Sequence, residues 1–196
     1  MPLPDTHAAH AALEVATAYC SPALLNHCVR SYIWAASYGI EHGIEYDAEL
    51  LHVSALLHDI GLVAEFDSHT LPFEEAGGHV AWVFGAGAGW SVERRTRSAQ
   101  IIVRHMWDEV DPEDDPEGHL LGLATGLDIS GRGADAWPMA FLGQVLAQFP
   151  RLDLGQEFLR CFQDQAGRKP DSAAATAVAD GIGERIAANV LDNMPS

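Results

Sequence analysis

Lysine is nearly absent from this chain. One of its 196 residues is lysine and ten are arginine, against 28 acidic residues, so the formal charge is -17. Such a balance repels phosphate backbones and anionic lipid headgroups, which excludes nucleic acid and a membrane surface as expected partners. Cysteine is scarce and odd in number. Cys20, Cys28 and Cys161 form no CxxC pair, so reduced, packed thiols are expected rather than a disulfide frame. No apolar run reaches the roughly 18 residues that cross a bilayer, and "MPLPDTHAAHAALE" has neither the cationic nor the apolar block of a secretion signal. The expectation is a cytoplasmic protein. Strand signals are also scarce, whereas apolar residues recur at spacings of three and four, so the chain reads as all-α.

What is present divides into helices with recognisable ends. Ser21-Pro22 pairs a cap with a first-turn proline and opens a helix that Gly43 closes. Asp47 caps "AELLHVSALLHDIG", which Gly61 ends. A third helix covers "FEEAGGHVAWVFG", and Ser91 caps "VERRTRSAQIIVRHMW". The acidic stretch "DEVDPEDDPEG" reads as a solvated loop, because it lacks the spacing and glycine of a calcium loop. Shorter helices are predicted over 117–127 and 138–149, and "LGQEFLRCFQDQ" and "SAAATAVADGIGERIAANVLDN" are predicted as terminal helices, after a frayed or peripheral first helix that holds His7 and His10. There is no repeat and no Ser/Gly linker, so residues 1–196 read as a single domain. Apolar helices at both ends leave a homo-oligomer open.

Within the second of these helices the stretch "ALLHDIGLV" places His58 and Asp59 among Leu56, Leu57, Ile60 and Leu62. An adjacent His-Asp pair is weak information, since about one is expected by chance in this composition. Its setting is more telling. A buried, unpaired carboxylate costs several kcal/mol unless a cation or strong donors meet it, and a metal ion meets that demand. Adjacent helical residues point about 100° apart, so the pair can grip one ion near a helix end while further ligands come from elsewhere. His27, His79, His105 and Asp128 stand in similar apolar helical contexts. Imidazole and carboxylate donors suit zinc, iron or manganese. Arg30 has three readings: a partner for Glu74 or Asp59, an anion-binding group, or a surface ion pair. Trp82 and Trp107 flank His79 and His105 and are candidates to line a small pocket. His52 falls outside the ligand set by its helical phase, and His42, His69 and His119 read as solvated.

The order His27, His58-Asp59, Asp128 resembles the H…HD…D signature of the HD-domain superfamily over roughly residues 20–135, with the helices of 138–194 packing on that core. Within it, "NHCVRSYIWA", "LLHDIGL", "PFEEAGGHVA", "IIVRH" and "LDISGRG" resemble most the branch that holds the cyanamide hydratases. The resemblance implies an all-helical bundle with a divalent metal between helices, ligands His27, His58, Asp59 and Asp128, and His105 facing the ion on the substrate side or as part of a second site. Two-metal members carry a histidine four residues before a helix glycine. Here that position is Phe73, before Gly77, and His79 stands two residues beyond the glycine. A second ion held by His79 and His105 is left open.

A divalent ion so held lowers the pKa of bound water from about 15.7 to about 7 and makes hydroxide available. Asp59 would hold the ion, and His105 or His79 would orient the substrate or move a proton. Hydration of a small nitrile such as cyanamide is the leading expectation, favoured by the acidic balance. The alternatives are hydrolysis of a nucleotide or other phosphate ester, which needs arginine near the ion, dioxygen chemistry at paired irons, or a non-catalytic ligand-sensing module.

Overall fold

The computed structural model describes residues 3–194, among which ten α-helices and three short 3-10 turns account for the regular structure and no strand occurs. Helix α1 spans His7–Tyr19, α2 Pro22–His42, α3 Ala48–Leu57, α4 Phe73–Gly87 and α5 Val92–Arg104. Helices α6 (Pro116–Ser130), α7 (Met139–Gln148), α8 (Leu154–Arg168), α9 (Ala173–Ala179) and α10 (Ile182–Ala187) complete the set. None of them is long and apolar enough to cross a membrane.

The caps read from the sequence are made. Ser21 accepts from the Leu24 amide, Pro22 fills the first turn of α2, and Gly43 ends it at φ 68°. Asp47 and Ser91 cap α3 and α5 in the same way. Helix α1 is not frayed. Thr6 caps it, and Ala8, Ala12 and Ala16 bury a small-residue face that lets it lie close against α3. The acidic stretch before α6 is not wholly solvated either. Asp115 is buried as the α6 cap, where Arg97 and Arg104 of α5 meet its carboxylate.

Two boundaries differ in ways that shape the interior. Helix α3 stops at Leu57 rather than Gly61. Asp59 leaves helical geometry at φ -100°, ψ 8°, and Ile60–Leu62 tighten into a 3-10 turn. That turn lies against the start of α4 so closely that a Cβ on Gly61 would collide with the Phe73 carbonyl, and one on Gly77 would stand 3.1 Å from the His58 carbonyl. Glycine is required at the first contact, and the second is tighter than a Cβ ordinarily makes. Helix α6 runs three residues beyond its predicted end, until Gly131 closes it at φ 72°, and so includes Asp128. At the other end of the chain Gly181, at φ 78°, splits the predicted last helix into α9 and α10.

Two apolar clusters fill the bundle. The larger joins α1, α2, α3, α5 and α6 through Trp34, Leu51, Leu56, Ile101, Leu120 and their neighbours. The smaller gathers Phe73, Ile129, Phe158, Phe162 and Ile182 beneath α8 and α10. The HD pair sits at the seam between them.

His52 lies within the larger core at 3% exposure, edge-on to Tyr32 with ring centroids 4.6 Å apart, and its Nδ1 has no partner. Burial pushes its pKa from 6.5 down to about 4. The unfolded chain therefore takes up a proton that the folded chain refuses, so stability is complete above about 6.5 and falls as the pH drops toward about 4. That interval is worth about 3 kcal/mol. Urea midpoints measured near pH 7 and near pH 4.5 should show a smaller acid loss in His52→Leu than in the parent. An equal loss in both would contradict the assignment.

Candidate metal centre

Three elements bring donors to one point. Helix α2 presents His27 one turn after its capped start, the break after α3 presents His58 and Asp59, and the C-cap of α5 presents His105. The first three are completely buried. His27 Nε2 lies 3.1 Å from His58 Nε2 and 3.2 Å from Asp59 Oδ2, and His58 Nε2 lies 3.2 Å from that same oxygen.

The remaining ring nitrogens say where the hydrogens are. His58 Nδ1 is 2.7 Å from the Ala55 carbonyl, which can only accept, so the proton sits on Nδ1 and Nε2 holds a lone pair. His27 Nδ1 donates in the same way to Asp128 Oδ2 at 2.7 Å. With both rings neutral, the three converging atoms are all acceptors and nothing donates between them. Burial works to raise the Asp59 pKa, but the neighbouring His58 and His27 rings more than offset it and hold the carboxyl well below its usual range. Burial lowers the His27 pKa, yet Asp128 and Asp59 together outweigh burial and raise it above 6.5. A proton on His27 Nε2 can point at His58 or at Asp59, not at both. Asp59 Oδ1 stays buried without a hydrogen-bond partner in either case.

A divalent ion satisfies all three atoms together. Donors about 2.1 Å from a common centre stand about 3.0 Å apart at right angles and about 3.4 Å apart at the tetrahedral angle. The observed edges of 3.1–3.2 Å fall between. These residues form the one cluster of metal-ligating type among those described.

The other sequence candidates fall in different places. His105 faces the group. Its Nδ1 donates to the Ile102 carbonyl, its Nε2 stands 3.9 Å from Asp59 Oδ1, and burial together with His58 pushes its pKa down to about 4, so it is a neutral base. Asp128 stands behind His27 and does not join the triangle. Arg30 is no surface residue: it is completely buried and bonds Asp128 Oδ2 at 2.6 Å. Glu74 is buried at the start of α4 with one unpartnered oxygen, its pKa raised by burial, and it lies outside the cavity wall. The structure does not bring His79 together with His105 as the open second-ion pairing needs: His79 is exposed and lines a separate groove between α4 and α5. Trp82 lies on that groove too, under the Arg95 guanidinium at 5.1 Å. Trp107 stands half exposed at the mouth of the true cavity.

That cavity, of about 560 Å3, opens from His27, His58, Asp59 and His105. Phe158 and Phe162 of α8, Ile129 of α6 and Ile182 of α10 form an apolar wall, and Arg132 and Arg185 stand at its edge. Sequence reasoning missed the α8 and α10 wall and Arg151, which reaches Asp128 from the α7–α8 connection. The amphipathic spacing of Phe158 and Phe162 was the available signal for the wall. Arg151 carried none.

A proton on His27 competes with the ion, so metal affinity should fall as the pH drops below the raised His27 pKa, by up to tenfold per unit for one proton, and level off above it. Zinc titrations against a competing chelator across pH measure this. Affinity independent of pH would contradict the competition.

A family model for the HD domain matches residues 24–124, just over half of the chain, and that span includes His27, His58, Asp59 and His105. Comparison with curated proteins gives no match. HD domains bind divalent metals and are commonly metal-dependent hydrolases, which is the chemistry that three buried, mutually facing acceptors call for. The chain belongs to the HD domain family.

Proposed function

We propose that this protein is a metal-dependent hydrolase or hydratase acting on a small molecule bound in the cavity above His27, His58 and Asp59. The carrying observation is that His27 Nε2, His58 Nε2 and Asp59 Oδ2, buried and about 3.2 Å apart, open onto that cavity beside a neutral imidazole. A divalent ion, zinc or iron by donor type, supplies a Lewis acid and lowers the pKa of a bound water toward about 7. His27, His58 and Asp59 hold it. His105 keeps Nε2 free of a proton at neutral pH and is placed to take one from the water or return it to the departing atom. The walls of α8 and α10 exclude bulk water, which strengthens each of these interactions.

Two substrate classes divide the reading. Hydration of a nitrile, the chemistry of the branch this chain resembles, suits the apolar wall and needs no counter-charge. The cavity lies in the range of about 300–1,000 Å3 that holds drug-sized ligands, so a nitrile larger than cyanamide fits it better. Hydrolysis of a phosphate ester is favoured by Arg132 and Arg185, which edge the cavity and, among the described residues, have no carboxylate partner. Arginine there would neutralise the equatorial oxygens of a phosphoryl group.

The test is turnover of cyanamide, larger nitriles and phosphate monoesters by protein loaded in turn with zinc, iron and manganese. At least one class is expected to react. Asp59→Ala should lose both metal and turnover, and His105→Gln should keep the metal and lose about 10²–10⁴-fold in kcat. Protein that holds its metal and turns over no compound in either class would favour a ligand sensor.

A further inference from the structure

Resting on the reading of His27, His58 and Asp59 as a metal centre, we infer that Asp128 is a positioning residue for His27 and not a ligand, and that Arg30 and Arg151 hold it off the ion. The chemistry of its two oxygens carries this. Asp128 Oδ2 accepts from His27 Nδ1 at 2.7 Å and from Arg30 Nη2 and Nε at 2.6 and 3.0 Å. Asp128 Oδ1 accepts from Arg151 Nη1 at 2.5 Å. Each carboxylate oxygen offers about two lone-pair directions, so Oδ2, with three donors, is fully engaged, and Oδ1 is held by Arg151.

Neither arginine can follow if Asp128 turns toward the triangle. Arg30 is completely buried and is pinned by the carbonyls of Phe149 and Pro150 at 2.9 and 3.1 Å. Arg151 is 6% exposed, bonds the Asp128 carbonyl as well, and is gripped from behind by Asp192 at 2.6 Å. Asn189 fixes the same carbonyl at 2.8 Å. Rotation of Asp128 would leave the buried Arg30 guanidinium without its anion and Arg151 with Asp192 alone. Thr125, Gly126, Ile129 and Ser130 of α6 line the cavity, whereas Asp128 does not.

The result is a centre with two imidazoles and one carboxylate from the protein, leaving more of the coordination sphere to the cavity than four ligands would. The Asp128 charge is spent on Arg30 and Arg151. Only Asp59 then offsets a divalent ion, so the centre keeps a net positive charge toward its substrate. The last described turn of the chain, through Asn189 and Asp192, becomes part of the support of His27, although it lies far outside the segment that matches the family.

The test titrates the full, metal-freed chain with cobalt(II), whose visible spectrum reports coordination. Asp128→Asn retains an oxygen for His27 Nδ1, so it should bind one cobalt with the parent's band positions and intensities and with affinity reduced about 10- to 100-fold. Arg151→Gln should weaken binding in the same sense, and Asp192→Ala, at a half-exposed position, least. A spectrum for Asp128→Asn that shows the loss of a ligand overturns the assignment. If Asp128→Asn fails to fold, the parent decides: the His27 Nδ1 proton, shared with a carboxylate, should give a strongly downfield resonance that persists when zinc is added. Its disappearance on loading overturns the assignment as well. Parent protein that takes up no cobalt overturns both this inference and the centre beneath it, whereas intact cobalt binding in an inactive enzyme bears only on the proposed function.

Discussion

Three buried donor atoms that face one another with at most one hydrogen among them are the constraint around which this bundle is arranged. Two of the three are acceptors only because their rings are committed on the far side, His58 to the Ala55 carbonyl and His27 to Asp128. In water such an arrangement would relax by rotation. Here the atoms are completely buried, the rings are held, and each neighbouring contact of the backbone serves to keep them so. Gly61 and Gly77 let the turn after α3 touch α4, which fixes the carbonyl of His58 and the direction in which Asp59 leaves the helix. A cation removes the repulsion at a single stroke, and metal affinity becomes part of folded-state stability.

The division of labour along the chain follows. The segment that matches the HD domain supplies the groups that grip an ion. Much of the cavity wall, Phe158, Phe162, Ile182 and Arg185, comes from α8 and α10 beyond it. Chemistry and selectivity are thereby carried by different parts of the sequence, so the wall can differ without disturbing the triangle. The support of His27 crosses that division. It passes from α2 to Asp128 on α6 and on to Arg151 and the C-terminal turn.

Much of the fold was legible because helix ends are chemically local. Ser21, Asp47 and Ser91 mark helix starts by side-chain caps, Pro22 and Gly43 mark a start and an end by backbone preference, and Gly61 marks its turn by the room it leaves for Phe73. His27, His58, Asp59 and His105 were legible because polar residues in apolar helical contexts need a reason to be buried. What failed to show was phase and partnership. His79 follows Gly77 by two residues, about 200° around the helix, so the face that packs on the HD turn turns His79 to solvent. Asp128 and Arg30 were found as candidates, but their mutual contact spans α2 and α6, and no local pattern encodes it. Arg151 sits alone after a proline in a connection, where sequence offers neither periodicity nor motif.

Diffraction from crystals grown with zinc, recorded at its absorption edge, tests the central claim most directly. The account predicts one anomalous peak about 2.1 Å from His27 Nε2, His58 Nε2 and Asp59 Oδ2 alike, with Asp128 still on His27 Nδ1. A peak elsewhere in the molecule, with these three atoms bridged by a proton or by water, would contradict it.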